Sequence, residues 1–139
     1  MEYKRFGNDV VLRLDPDDEI VAAVSELAAK EDIALAKVSG LGALKEIVVG
    51  VYDTESKTYA ANTFTGTYEM TALTGTVTRM NGAPYIHLHM NAGDAKGHVI
   101  GGHLNKAVVS ATAEILIRII AGEVGRVHSD EIGLNIFQF

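Results

Sequence analysis

The sequence predicts an α+β fold in which one main helix packs on a largely antiparallel sheet. Only one segment, just after residue 15, combines a helix-start signal with apolar residues at helical spacing. The other apolar runs are short or alternate with polar residues, and turn signals such as Asn81-Gly82 separate them. The chain has 139 residues, which suits one domain over 1–139 with a core of its own.

The helix is predicted to follow a short strand at Val10–Leu14. Asp15 is expected to cap it and Pro16 to occupy its first position, because acidic residues favour the positive end of the helix dipole and proline needs no N–H there. We expect the helix to end at about Lys30. The apolar residues at helical spacing are Ile20, Val24, Leu27 and Ala28.

The remaining chain is predicted to form strands. Shorter apolar runs lie at Ile33–Val38, Glu46–Tyr52, Tyr68–Val77 and Gly133–Phe139. Ser39-Gly40 is expected to be a turn, and Gly40-Leu41-Gly42 a tight loop rather than a phosphate cradle, because no helix start follows it. The run Ala107–Ile120 is long enough for a helix. Its alternation and its β-branched second half favour one long strand with a wholly apolar face.

The histidines carry the main chemical signal. In the strand that contains His87 and His89, alternation places both side chains on one face. The turn-rich segment 91–97 predicts a hairpin, which would return the chain antiparallel and bring His103 beside that pair. Imidazole nitrogen suits zinc and other divalent transition metals. Three such ligands would leave a fourth position for water or a substrate.

A plainer interpretation stays open beside this one. A histidine on a strand is usually a surface or hydrogen-bonded residue, and the spacing matches no closed metal motif. His98 follows the turn-rich segment and has a weaker claim as a ligand. His128 is interpreted as an ordinary polar strand or loop residue. The metal site is therefore a hypothesis that the fold has to support.

Composition restricts the class of protein. The chain is 47% hydrophobic and 22% charged, as in ordinary globular proteins, and it has no cysteine for disulfides or thiolate metal sites. No apolar stretch approaches a membrane span, and no signal peptide is recognisable, so a cytoplasmic location is expected. The net charge of −6 opposes non-specific attraction to nucleic acid.

Several short motifs follow one another in a specific order and spacing. They are Val11-Leu12-Arg13-Leu14, Ser39-Gly40-Leu41-Gly42-Ala43-Leu44, Gly66-Thr67-Tyr68-Glu69-Met70-Thr71, the His-Leu-His strand, Gly101-Gly102-His103-Leu104 and Ala113-Glu114. In this order they resemble the PPC domain family (plant and prokaryote conserved domain), in its stand-alone prokaryotic form. The resemblance covers nearly the whole chain and implies one helix on an antiparallel sheet, a homotrimer, and a metal at His87, His89 and His103.

The family commonly carries a DNA-binding label, which this sequence supports poorly. The chain has no AT-hook segment, and its basic residues are scattered. It also has no strand of alternating basic and aromatic residues that would stack single-stranded bases. We therefore expect weak binding to duplex DNA, if any. That expectation would fail mainly if trimer symmetry gathered basic side chains of the three subunits into one patch.

Two functions stay open at this point. The first is a trimeric metal-binding interaction module, which the family label would associate with DNA. The second is a metal-dependent enzyme that acts on an unidentified small molecule, with Glu114 as candidate general base and Tyr85 on the histidine face. The plainer interpretations are a solvated or ion-paired Glu114 and a Tyr85 that packs at a subunit contact. The apolar Val108, Leu116 and Ile120 on the second face of the long strand favour the trimer.

Overall fold

The computed structural model describes all of residues 1–139 and contains one helix and eight strands. The predicted α+β arrangement is confirmed. The elements are β1 (Glu2–Phe6), β2 (Asp9–Leu14), α1 (Ile20–Lys30), β3 (Ala36–Asp53), β4 (Thr58–Met80), β5 (Ala83–Gly93), β6 (Val99–Ile119), β7 (Gly125–Ser129) and β8 (Leu134–Gln138).

Six strands form one antiparallel sheet in the order β1-β2-β6-β3-β4-β5. The sheet curls, so that β5 also pairs with the first part of β6. The last two strands, β7 and β8, form a separate two-stranded sheet, which contacts β4 through β7. The curl matters for function because it places β5 and β6 side by side.

The hydrophobic core lies between α1 and the inner face of the sheet. The helix contacts β5 and β6 and buries Ile20, Val24 and Leu27 completely. From β6, Ala113, Ile115 and Ile117 point into the same cluster. The long strand predicted at Ala107–Ile120 is therefore confirmed, although it begins earlier, at Val99. No helix is both long enough and apolar enough to cross a membrane.

The predicted start of the helix is wrong. The N-cap is Glu19, whose carboxylate accepts hydrogen bonds from the N–H groups of Val21 and Ala22 at 3.0 and 2.7 Å. The preceding residues cannot be helical because they pair with β6. The N–H of Asp17 donates to the carbonyl of Val109, and the N–H of Val109 donates to the carbonyl of Asp18, both at 3.0 Å. The pairing with β6, which is distant in sequence, therefore prevents the helix from starting at Asp15 and Pro16.

The predicted turn at Ser39-Gly40 and loop at Gly40–Gly42 are also wrong. Both lie inside β3, which runs unbroken from Ala36 to Asp53 with a bulge at this point. The glycines serve close packing of the backbone instead. A Cβ on Gly40 would lie 2.6 Å from Ile115 Cδ1, and one on Gly42 would lie 2.6 Å from Ala113 Cα. Glycine in a strand often marks such a close approach.

Candidate metal centre

The hairpin between β5 and β6 brings the three histidines together. The loop is held by Asp94, whose N–H donates to the carbonyl of His98 at 2.9 Å. The Asp94 carboxylate also accepts from the N–H groups of Lys96 and His98 at 2.8 and 2.9 Å. The resulting register sets His89 directly opposite His103.

The imidazole rings form a compact cluster. The ring centroids of His87, His89 and His103 are 5.1 to 5.5 Å apart, and one nitrogen of each ring lies within 4.8 Å of the other two. His87 and His103 are half-buried, whereas His89 is exposed. The cluster therefore has a protected side in the sheet and an open side toward solvent.

Burial disfavours the protonated, positively charged form of two of these rings. It lowers the pKa of His87 to about 4, and the nearby positive charges of His103, Arg126 and His89 act in the same direction. Burial also lowers the pKa of His103, again assisted by His89. A neutral imidazole has a free nitrogen lone pair, which is the form that binds a metal.

The donor set fits a divalent transition metal. Ligand nitrogens at about 2.0–2.1 Å from a tetrahedral zinc lie roughly 3.3 Å from one another. The nitrogens of the cluster are already within 4.8 Å, so small side-chain rotations suffice. Three histidines with a free fourth position are the ligand pattern of catalytic rather than structural zinc sites.

The cluster forms one wall of a cavity of about 770 Å³. This volume lies in the range of small-molecule sites, roughly 300–1,000 Å³. The wall contains tyrosines, histidines, asparagines and apolar residues, and no acidic side chain. The lining residues are Gly50, Val51, Tyr52, Tyr59, Tyr85, His87, His89, Gly102, His103, Asn105, Leu134 and Asn135.

Comparison with known proteins identifies the fold family. The sequence profile of the Plants and Prokaryotes Conserved (PCC) domain matches residues 1–121. The chain belongs to this family. The resemblance found in the sequence is thereby confirmed. No curated protein sequence matches the chain significantly.

Three solved structures illustrate the similarity of this PCC domain to its relatives. A putative DNA-binding protein from Bacteroides thetaiotaomicron is 28% identical, with a TM-score of 0.97 and coverage of 99% of this chain and 96% of that one. A second putative DNA-binding protein, from Ralstonia eutropha, is 27% identical, with a TM-score of 0.91 and coverage of 99% and 95%. A metal-containing protein from Archaeoglobus fulgidus is 29% identical, with a TM-score of 0.88 and coverage of 99% and 97%.

The β7–β8 hairpin lies beyond the matched PCC residues and still contributes to the site. Its Leu134 and Asn135 line the cavity. Its Arg126, only 8% exposed, lies behind His87. The guanidinium donates to Thr78 Oγ1 at 2.9 Å, to the Asn135 carbonyl at 2.8 Å and to His87 Nδ1 at 3.4 Å. The hairpin thus closes one side of the cavity and places a cation next to a histidine of the cluster.

Of the other two predicted site residues, one lies in the cavity wall and the other does not. Tyr85 lies in the cavity wall on the histidine face, where its hydroxyl accepts a hydrogen bond from Asn135 Nδ2 at 3.3 Å. Glu114 does not join the cluster. It is exposed on β6, eleven residues beyond His103, a separation of roughly 30 Å or more along a strand. Glu114 therefore cannot supply a carboxylate to the histidine cluster.

The two remaining histidines lie outside the cluster. His98 faces the Asp94 carboxylate in the β5–β6 loop at 3.1 Å. His128 is a strand residue of β7 and donates to Asn135 Oδ1 at 3.1 Å. The structure therefore assigns both to ordinary polar contacts, in agreement with the sequence.

Sequence reasoning missed most of the cavity wall. Tyr59 comes from β4, and its hydroxyl donates to Asn105 Oδ1. Alternation along β6 from His103 was a signal for Asn105, two residues further on. No comparable signal existed for Tyr59 or Arg126, because only the sheet pairing and the packing of the hairpin bring them near the histidines.

Proposed function

We propose that this PCC domain holds a divalent transition metal, with zinc as the first candidate, on His87, His89 and His103. The observation that carries the proposal is the convergence of three imidazole nitrogens within 4.8 Å at a cavity wall. The metal-containing relative from Archaeoglobus fulgidus supports it. The open side of the cluster favours a centre that receives a small molecule.

The residues around the cluster define what such a centre would do. A bound metal would supply a Lewis acid that polarises an oxygen of the ligand. The half-buried His103 keeps its lone pair available. On His87 a metal would have to replace the hydrogen bond from Arg126 to Nδ1, because a neutral imidazole has only one ring nitrogen with a lone pair. The hydroxyl proton of Tyr85 takes part in no hydrogen bond within the chain and is free to bind the ligand. A metal-dependent enzyme remains our second candidate, with the hydroxyl of Tyr85 in place of the carboxylate of Glu114 beside the centre.

We also propose that the chain is a homotrimer. The outer face of the sheet exposes apolar side chains that no element of the chain covers. Val11 on β2 and Leu116 on β6 are paired in register and are 42% and 53% exposed, and Ile120 is 47% exposed. An apolar patch of this kind usually marks an interface. Residues 1–139 would form one domain per subunit, because the β7–β8 hairpin packs on β4 and lines the same cavity.

Direct binding to DNA is the weaker proposal, despite the names of two relatives. A trimer of chains with a net charge of −6 would have a charge of about −18 and would repel phosphate backbones. Tight DNA binders typically neutralise roughly 6–10 phosphates with basic side chains. Titration of labelled A/T-rich and G/C-rich duplexes at about 150 mM salt tests this, and sub-micromolar, sequence-dependent binding would overturn it.

The cytoplasmic location expected from the sequence stays a prediction.

Elemental analysis of protein purified without a histidine tag tests the metal proposal. We expect a stoichiometric transition metal in the wild type and little in His89→Ala. His89 is exposed, so its removal should leave the fold intact. His98→Ala is the matched control, since His98 is also exposed and lies outside the cluster. Equal metal contents in the two variants would refute the proposal.

A further inference from the structure

The charge around the histidine cavity is unbalanced. None of the twelve lining residues is Asp or Glu. Arg126, buried behind His87, takes part in none of the ion pairs of the chain. Buried arginines are usually paired with a carboxylate, because an uncompensated buried charge is costly. The cavity therefore has a fixed positive charge nearby and no carboxylate in its lining.

Arg126 is held in place by contacts that leave its charge intact. Its guanidinium lies between the rings of Tyr85 and Phe137, with its central carbon 4.5 and 4.6 Å from the two ring centroids. Its hydrogen bonds go to neutral groups, including His87 Nδ1. Cation–π contacts stabilise the charge without neutralising it. A metal dication on three neutral histidines would add further positive charge at the same wall.

We infer that the cavity binds a small molecule that has one carboxylate and an apolar body, with the carboxylate directed to the histidine cluster. This inference rests on the proposed metal centre and specifies the ligand of that centre. The hydroxyl proton of Tyr85 supplies a hydrogen-bond donor beside the cluster. An ionised carboxylate only accepts hydrogen bonds, so it matches this surplus of positive charge and donors.

The rest of the cavity wall suits the apolar body of that ligand. Val51, Tyr52 and Leu134 contribute apolar or aromatic surface to the wall. The lining has no lysine and no helix N-terminus, and Arg126 lies behind His87. A phosphate dianion is usually bound by several such cations or by a row of backbone N–H groups. A monocarboxylate is therefore favoured over a phosphate ester.

Calorimetric titration of the zinc-loaded protein with benzoate and with benzamide tests the inference. The two probes have nearly the same shape and differ in charge. We expect saturable binding of benzoate that is at least about tenfold tighter than binding of benzamide, since a hydrogen bond to a charged group contributes more than one to a neutral group. Phenyl phosphate serves as a third probe, and tighter binding of it than of benzoate would overturn the choice of carboxylate.

Two variants locate the source of the preference. Arg126→Gln should reduce affinity for benzoate and leave that for benzamide unchanged, whereas Arg118→Gln, on the exposed far end of β6, should change neither. Because Arg126 is buried, Tyr85→Phe is the second variant, and it should weaken benzoate binding with the fold retained. Zinc content is measured on each sample. Stoichiometric zinc with equal affinity for the two probes would overturn this inference alone, whereas absence of zinc binding would overturn the metal proposal.

Discussion

The two halves of β6 belong to one continuous strand and have different tasks. The first half, Val99–Lys106, contains His103 and Asn105 in the cavity wall. The second half buries Ala113, Ile115 and Ile117 in the core with α1. Leu104 of the first half is also buried in the core, but the other face of that half, with His103 and Asn105, stays accessible at the cavity. In this sense the second half is covered and the first half is uncovered. Metal binding and folding stability should therefore respond to different substitutions along one strand.

The largest effect on stability is expected in the covered half. Ile115 is fully buried, so Ile115→Ala should lower the free energy of unfolding by about 2–5 kcal/mol through lost apolar contacts and the cavity left behind. Urea denaturation at fixed protein concentration measures this. The metal content of the folded fraction should not change. Loss of metal without loss of stability would contradict the division of tasks.

A metal-linked effect is expected in the uncovered half. A ligand that binds only the folded state stabilises it by about 2.7 kcal/mol at a free concentration of a hundred times its dissociation constant. Zinc added to metal-stripped protein should therefore raise the melting temperature of the wild type and of His98→Ala. It should have little effect on His89→Ala. A similar shift in all three proteins would place the zinc elsewhere.

The outer face of the covered half should control assembly. Leu116→Glu places a charge in the exposed apolar patch, and burying it at an interface would be costly. We expect the association constant to fall at least about tenfold. Light scattering measures the mass, and Glu114→Gln on the same face is the matched control. A monomeric wild type at micromolar concentration would rule out the trimer.

An effect of pH is expected at the histidine cluster. In the metal-stripped protein the pKa of His87 is about 4 in the folded state and about 6.5 when unfolded. The unfolded chain therefore takes up a proton first, and stability present above pH 6.5 is lost as the pH falls toward 4. The melting temperature of the wild type should fall more over this window than that of His87→Gln. Identical pH profiles would show that burial of His87 has no such effect.

The sequence predicted features that depend on local pattern. Alternation around His87 and His89, the turn residues of 91–97 and the run of β-branched residues near Ile117 each act over a few positions, so the hairpin, the long strand and the three-histidine cluster followed from them. Features that depend on contacts between residues distant in sequence could not be predicted from such patterns. The cap moved from Asp15 to Glu19 because of a pairing with β6.

The cavity wall shows the same limit. Tyr59 reaches the site because β4 pairs with β3, and Arg126 reaches it because the terminal hairpin packs over the sheet. Glu114 was a candidate by residue type and lies far along the strand. Residue type and spacing identify ligands within one hairpin, whereas the rest of a site depends on how distant segments meet.

Cobalt(II) titration of metal-stripped protein, followed by visible absorption, is the direct test of the three-histidine centre. We expect saturation at a single cobalt ion per chain in the wild type and in His98→Ala, with intense bands of a low-coordinate site. In His103→Ala the bands should be lost or strongly reduced, since removal of a ligand from β6 leaves only the His87 and His89 pair of β5. Equal binding of cobalt by His103→Ala and His98→Ala would contradict a metal centre built on the three histidines.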